Sequence, residues 1–86
     1  MNFLIIYETS HKEHLVRVQD LVQAYDKFIQ VTPSTWIINC DGDPLGIKNY
    51  LSQIISIDDS LLVLELNKEW ATTNFLDVSE WLMKVE

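Results

Sequence analysis

Two histidines and a cysteine are the side chains of this chain most suited to binding a soft metal ion. His11 and His14 are three residues apart, so on a helix they would occupy neighbouring positions of one face. Cys40 could add a third ligand, but no fourth suggests itself, and structural zinc sites are tetrahedral. Cys40 also has no base near it in the sequence that would make it a nucleophile. We therefore expect both histidines to face solvent near a helix start, and Cys40 to be a thiol at a strand end.

Carboxylates supply the second kind of candidate chemistry, because their oxygens are the ligands that Mg²⁺ and Ca²⁺ prefer. Asp41 and Asp43 form an Asp-x-Asp pattern, but Asp43 precedes Pro44, a pair typical of a helix cap and a first helical residue. We expect a turn and a cap there rather than a metal site. Glu8 directly follows an apolar run and is either a metal ligand or a solvated residue at a strand end. A glycine-rich phosphate loop is not expected from a chain with two glycines.

Composition and charge limit the classes of function. Eighty-six residues predict a single domain, residues 1–86, and an apolar fraction of 48% argues against disorder. The net charge of −7, with no basic half or tail, predicts that nucleic acid does not bind tightly. One cysteine and no apolar run of membrane-spanning length predict a cytoplasmic protein without a membrane segment.

The spacing of apolar residues predicts the elements that would position these groups. Phe3–Tyr7 is a continuous apolar run, typical of a strand buried on both faces. Ser10–Glu13 fits the capping-box pattern, with the serine as N-cap of an amphipathic helix. Residues 27–31 fit either the end of that helix or a short strand. We prefer the strand, because it makes a hairpin with the strand predicted for residues 34–40.

The second half of the chain completes a recognisable order of elements. A helix beginning at Pro44 runs to about Ile55, and Ser60–Leu66 forms another apolar strand. The order strand, helix, strand, strand, helix, strand predicts an α+β fold, a ferredoxin-like βαββαβ sandwich with helices on one face of an antiparallel sheet. Its core would span about residues 3–72.

The C-terminal third carries more large apolar side chains than so small a domain covers easily. Residues 69–72 are predicted to add a short edge strand, and residues 74–86 a final helix capped by Asn74. Tryptophan is enriched at the energetic centres of protein interfaces. We therefore expect this region to form the contact surface of a homodimer through six apolar residues, Trp70, Phe75, Val78, Trp81, Leu82 and Val85.

Three segments of the chain resemble a group of small bacterial and phage proteins. They are Leu4–Glu8, Ser34–Ile38 and Ile57–Leu66, of which the Ser-Thr-Trp and Asp-Asp-Ser-Leu-Leu-Val sequences are the most specific. The group comprises SinR-like proteins and is similar to VapD and to the CRISPR-associated endoribonuclease-fold proteins of the adaptation machinery. Over residues 3–72 the resemblance implies a ferredoxin-like protomer in a symmetric homodimer. It also implies a phage, mobile-element or defence-related setting.

The resemblance gives Glu8 its candidate catalytic role. The related nucleases carry an Asp after a Tyr at the end of the first strand, and two such Asp residues face each other across the dimer. Here that position is Glu8, after Tyr7. The extra methylene of Glu displaces the carboxylate by more than a metal site usually tolerates, and its sequence neighbours supply no second carboxylate.

Three hypotheses for function follow. The main one is a homodimeric protein that acts through macromolecular interaction with a protein partner, without efficient catalysis and without a cofactor. The second is an Mg²⁺-dependent endoribonuclease that uses Glu8 from both protomers. The third is an acidic decoy that occupies a nucleic-acid-binding protein. The net charge of −7 is the only support for this hypothesis.

Overall fold

The structure, a computed structural model that describes residues 1–85, contains four strands and three α-helices. Their order is β1 (Asn2–Glu8), α1 (Lys12–Gln23), β2 (Lys27–Thr32), β3 (Thr35–Asn39), α2 (Pro44–Leu51), β4 (Ser60–Leu66) and α3 (Leu76–Val85), with a single 3₁₀ turn, Ser52–Ile54, after α2. This order confirms the predicted α+β, ferredoxin-like class. Glu86, the last residue of the predicted final helix, lies outside the described residues. Across residues 1–85, no helix is long and apolar enough to cross a membrane.

The strands form one antiparallel sheet in the order β2-β3-β1-β4, so the first strand of the chain lies inside it. Ile5 of β1 faces Trp36 of β3 on one side and Val63 of β4 on the other. β2 pairs with β3, which confirms the strand interpretation of residues 27–31. The hairpin forms because two runs rich in β-branched and aromatic residues flank a turn at Pro33.

One face of the sheet packs against α1 and α2 and holds the larger of two cores. Alternate residues of β1 and β3 point to this face, as the two-residue period of a strand requires. Each fully buried large side chain contributes roughly 1.5–3 kcal/mol to folding. The buried members of this core are Phe3, Ile5, Tyr7, Val18, Val22, Trp36, Ile38, Ile47 and Leu51.

The opposite face of the sheet is covered only in part, by α3. A smaller core forms there between Ile37 of β3 and two residues of α3, Val78 and Leu82. On the same face, towards the β4 edge, Leu62 and Leu64 remain 48% and 44% exposed.

The edge strand predicted for residues 69–72 is wrong. Among the described residues, those between β4 and α3 form no strand. This segment must instead carry the chain from β4 to an α3 that contacts β2, the strand at the opposite edge. Trp70 therefore lines a cavity of about 180 Å³ with Ile37 and Val78, rather than extending the sheet.

The start of α1 also differs from the prediction. The helix begins after His11, whose side chain makes no capping hydrogen bond, so the capping box predicted at Ser10–Glu13 is wrong. Thr9 takes over part of this role, because its Oγ1 accepts a hydrogen bond from the His11 N–H at 3.1 Å. The Thr9 hydroxyl is itself held by Asp59, and the helix begins one residue later than the pattern predicts, with His11 rather than Ser10 as its N-cap.

The predicted N-cap of α2 is present, whereas that of α3 is not. Asp43 caps α2 as predicted: its carboxylate accepts a backbone hydrogen bond at 2.7 Å, and Pro44 is the first helical residue. Asn74 does not cap α3. It adopts the left-handed region with φ at 63°, and the first helical bond runs from Ser79 N–H to the carbonyl of Phe75. An asparagine tolerates that conformation better than most residues.

Candidate functional site at the end of the first strand

Glu8 lies at the end of β1 and is exposed to solvent. In the pairing of β1 with β4 it faces Ser60. Its Oε1 accepts a hydrogen bond of 3.3 Å from the hydroxyl of Ser34, in the turn between β2 and β3. The side chain is therefore available at the surface, beside the turn of the neighbouring hairpin.

Asp59, immediately before β4, is the buried carboxylate of this region, with a side chain only 1% exposed. Its Oδ2 accepts a hydrogen bond of 2.5 Å from the Tyr7 hydroxyl, and its Oδ1 accepts one of 2.6 Å from the Thr9 hydroxyl. The backbone N–H of Ser56 donates a third, at 3.1 Å. These bonds tie the end of β1 to the turn that leads into β4.

The hydrogen bonds determine the protonation of both partners. Burial alone would raise the pKa of Asp59, but the hydrogen bonds from Thr9, Tyr7 and Ser56 outweigh it and hold that pKa well below its usual range. Burial, and then the hydrogen bond to Asp59, raise the pKa of Tyr7 to about 12. The carboxylate is thus held ionised and the phenol protonated over the whole physiological range.

The two histidines lie beside this carboxylate. Nδ1 of His14 is 3.3 Å from Oδ2 of Asp59, close enough for an ion pair although not aligned as a hydrogen bond. The ring of His11 contacts that of His14 at a tilt of 49°, with ring centroids 4.6 Å apart, and Nε2 of His11 lies 3.9 Å from Oδ2 of Asp58. The prediction that both face solvent is wrong for His14, whose side chain is only 20% exposed because it packs on Asp59.

The remaining candidates lie elsewhere or have structural roles. Cys40 lies at the opposite end of β1 from Glu8, where its N–H donates to the carbonyl of Met1 at 3.0 Å. It is therefore not brought to His11 and His14. Burial raises the pKa of its thiol, which disfavours the reactive thiolate. Asp41 is exposed in the turn before α2.

An Mg²⁺ site does not fit the residues that one chain brings together. Within residues 1–85, no three His, Cys, Asp or Glu side chains are grouped as a metal ion requires. Glu8 is engaged by Ser34, and the oxygens of Asp59 already accept hydrogen bonds from Tyr7 and Thr9. Within residues 1–85 the chain therefore brings no ligand set for Mg²⁺ together at this strand end.

The six predicted interface residues divide into two groups. Val78 and Leu82 are buried against the chain's own sheet, so they belong to the smaller core. Trp81 packs against that core and Val85 is half-buried. Trp70 and Phe75 are 38% and 42% exposed.

Sequence reasoning gave Asp59 no role in the site, although this residue lies in the Asp-Asp-Ser-Leu-Leu-Val segment that carries the resemblance. Asp59 precedes β4 and Thr9 follows β1, and these two strands are antiparallel neighbours. The end of one strand and the start of the next meet at the same edge of such a pair. A threonine and an aspartate at those two positions could therefore have suggested the contact.

Comparisons with known proteins find a likeness to solved structures. No family model matches the chain, and no curated protein matches it in sequence. Among solved structures, the chain is similar to Cas2 of Streptococcus pyogenes, crystallised at pH 6.5. The TM-score is 0.68 with 26% identity, over 81% of this chain and 90% of the Cas2 chain. The fold is therefore Cas2-like, while the resemblance to SinR-like proteins and VapD stays a prediction.

Proposed function

We propose that this Cas2-like chain is a homodimeric, defence-related protein that acts through macromolecular interaction and does not catalyse efficient RNA cleavage. The observation that carries the proposal is the state of the carboxylates at the end of β1. Asp59 is committed to three hydrogen bonds inside the protomer, and the exposed carboxylate on the last residue of β1 is that of a Glu. A metal that activates water for attack on phosphate needs several ligands held within about half an ångström.

Two exposed aromatic residues support the homodimer and a protein partner. Trp70 and Phe75 keep 38% and 42% of their surface exposed in a chain of 86 residues. Aromatic side chains supply large contact area at a low entropic cost, which is why they recur at interface centres. Light scattering at micromolar protein concentration tests the dimer, and a monomer mass at every concentration would contradict it.

The distribution of positive charge supports a role that does not depend on nucleic-acid binding. The six cations belong to five separate parts of the fold, so few of them can meet one phosphate backbone together. They are Lys12, Arg17, Lys27, Lys48, Lys68 and Lys84. In a gel shift with duplex DNA and single-stranded RNA at low salt, we expect no retardation at sub-micromolar protein. Retardation there would contradict this part of the proposal.

The alternative is an Mg²⁺-dependent endoribonuclease in which each of two copies contributes Glu8. Two observations favour it: the side chain is exposed at the end of β1, and the fold resembles Cas2. One protomer lacks the ligand set, so this function requires the second carboxylate to come from the partner copy.

RNA cleavage with Mg²⁺ or Mn²⁺ separates the two functions. Wild type is compared with Glu8→Gln, which removes the charge, and Glu8→Asp, which shortens the side chain. We expect no metal-dependent cleavage by wild type. Cleavage that disappears in Glu8→Gln would establish the enzyme instead. Activity gained only by Glu8→Asp would show that the position suits a nuclease but that its glutamate does not.

A further inference from the structure

The end of the sheet opposite Glu8 carries a cavity that the candidate site does not use. It lies between the C-terminal end of α1, the start of β2 and the end of β3, and its volume is about 380 Å³. A second cavity of about 200 Å³ shares Ala24 and Tyr25 with the first and extends to Tyr50 of α2. The larger cavity alone has the volume of a small-molecule site, and the second lengthens it.

The charges around the larger cavity favour a cation. Asp26 before β2 and Asp41 after β3 both line it, and within residues 1–85 neither carboxylate makes a hydrogen bond or an ion pair. The C-terminal end of α1 adds the negative end of a helix dipole, and no basic residue lies in its last turn. The N-terminal ammonium donates a hydrogen bond of 3.2 Å to the carbonyl of Cys40, so a positive group is already accommodated beside the cavity.

Lys27 also lines this cavity, but its side chain belongs to the opposite face of the sheet. Phe28, the next residue of β2, packs against the core beneath α1 and α2. Since side chains alternate along a strand, Lys27 points to the face that α3 covers, as does Asn39, its pairing partner in β3. The Lys27 ammonium makes no ion pair within residues 1–85. It therefore leaves both carboxylates available to a ligand.

Two tyrosines give the paired cavities an aromatic wall. The rings of Tyr25 and Tyr50 meet edge to face with centroids 5.7 Å apart, and Tyr25 borders both cavities. Aromatic faces attract ammonium groups and cover the methylenes attached to them. A bare metal ion is a poorer match, because no three ligands within residues 1–85 are grouped to hold one. The lining therefore selects an elongated organic cation.

We propose that the two cavities form one binding site for a protonated diamine of the polyamine class. One ammonium group pairs with Asp26 and Asp41, and the methylene chain follows Tyr25 so that the second ammonium group reaches the ring of Tyr50. The site goes beyond the proposed function, because it lies at the other end of β1 from Glu8 and requires neither a second copy nor a nucleic acid.

The thiol of Cys40 reports occupancy of the site directly. Cys40 lines the larger cavity and is the one cysteine of the sequence. Its rate of reaction with dithiodipyridine, a neutral thiol reagent, is measured with putrescine as the probe. We expect putrescine to slow the reaction and the effect to saturate, whereas sodium chloride at the same ionic strength leaves the rate unchanged. No slowing by putrescine, or equal slowing by the salt, overturns the proposal.

Charge removal tests whether the two carboxylates hold the ligand. In calorimetric titrations with putrescine, Asp26→Asn and Asp41→Asn should each weaken binding by about two- to fivefold, as expected for an exposed ion pair. The matched control is Glu80→Gln, which removes the same charge from an exposed position of α3. The control should bind like wild type. Equal weakening in all three variants would show only a general attraction to an acidic protein and would overturn the site.

The aromatic wall and the second ammonium group are tested separately. Tyr25→Leu should weaken putrescine binding by about two- to fivefold, whereas Tyr25→Phe keeps the ring and should bind like wild type. Butylamine, which has the same carbon chain and one ammonium group, should bind less tightly than putrescine, and equal affinities would contradict a two-ended site. Circular dichroism checks folding, and the aspartate variants decide the matter if Tyr25→Leu does not fold. Neither result alters the light-scattering or RNA-cleavage experiments on the proposed function.

Discussion

Replacing Tyr7 with Phe should destabilise the protein through a single lost hydrogen bond. The ring is fully buried and Phe fills the same space, so the change removes the hydroxyl without opening a large cavity. That hydroxyl donates to the ionised carboxylate of Asp59 at 2.5 Å. Since a hydrogen bond to a charged group contributes about 1.5–3 kcal/mol, we expect a loss of about 2 kcal/mol. In a domain of this size the melting temperature should fall by about 8–16 °C.

Urea denaturation followed by circular dichroism and tryptophan fluorescence measures this loss. Fluorescence is informative because Trp36 is 1% exposed in the same core. The matched control is Tyr25→Phe, since the Tyr25 hydroxyl makes no hydrogen bond within residues 1–85. We expect the control to change the free energy of unfolding by less than about 0.5 kcal/mol. All variants are compared at one protein concentration, because dimerisation would add to stability.

The pH dependence of the loss identifies Asp59 as the partner. Folding lowers the pKa of Asp59, so its ionised form adds stability above the unfolded pKa of about 3.9. That stability is lost as pH falls from there towards the folded pKa. In Tyr7→Phe the ionised carboxylate contributes less stability, because it has lost one hydrogen bond. The difference in free energy of unfolding between wild type and Tyr7→Phe should therefore shrink as pH falls from 7 to 3. An equal difference at both pH values, or a loss no larger than that of the control, would refute the reasoning.

Three further measurements address other parts of the fold. Folding raises the pKa of Tyr7 to about 12. The stability that the protonated hydroxyl adds is therefore complete below the unfolded pKa of about 10 and is lost as pH rises towards 12. Over that interval the free energies of unfolding of wild type and Tyr7→Phe, measured in urea, should converge. Leu51→Ala, at a fully buried residue, should cost about 2–5 kcal/mol in the same assay, whereas Leu76→Ala, on the exposed side of α3, should cost little. Truncation after Asn67 should lower both solubility and melting temperature, because it uncovers Ile37; a truncated chain as soluble and stable as wild type would show that α3 covers nothing of consequence.

The elements of the fold could be predicted because their causes are local. The Asp43-Pro44 pair sets the start of α2 through one side-chain hydrogen bond and one restricted φ angle. The apolar runs of β1 and β4 are continuous over most of each strand, so their strand character does not depend on distant contacts. The hairpin of β2 and β3 follows from the turn at Pro33.

The site could not be predicted in the same way, because its contacts join distant parts of the chain. Tyr7 and Asp59 are 52 residues apart, and they meet only because β4 pairs along the whole of β1. The displaced start of α1 has the same cause, since Asp59 holds the Thr9 hydroxyl. The predicted edge strand failed for a related reason: the destination of α3, across the sheet on β2, determines the path of the residues before it.

The interior position of β1 also has a consequence for synthesis of the protein. β1 leaves the ribosome before both of its neighbours in the sheet, β3 and β4, and β4 ends only at Leu66. At typical elongation rates of about 5–20 residues per second, the last of these strands follows β1 by about 3–12 seconds. Throughout that interval the nascent chain displays the apolar run Phe3–Tyr7 without its full set of neighbours. A chaperone that binds extended apolar segments should therefore engage the nascent chain there and release it once β4 has emerged.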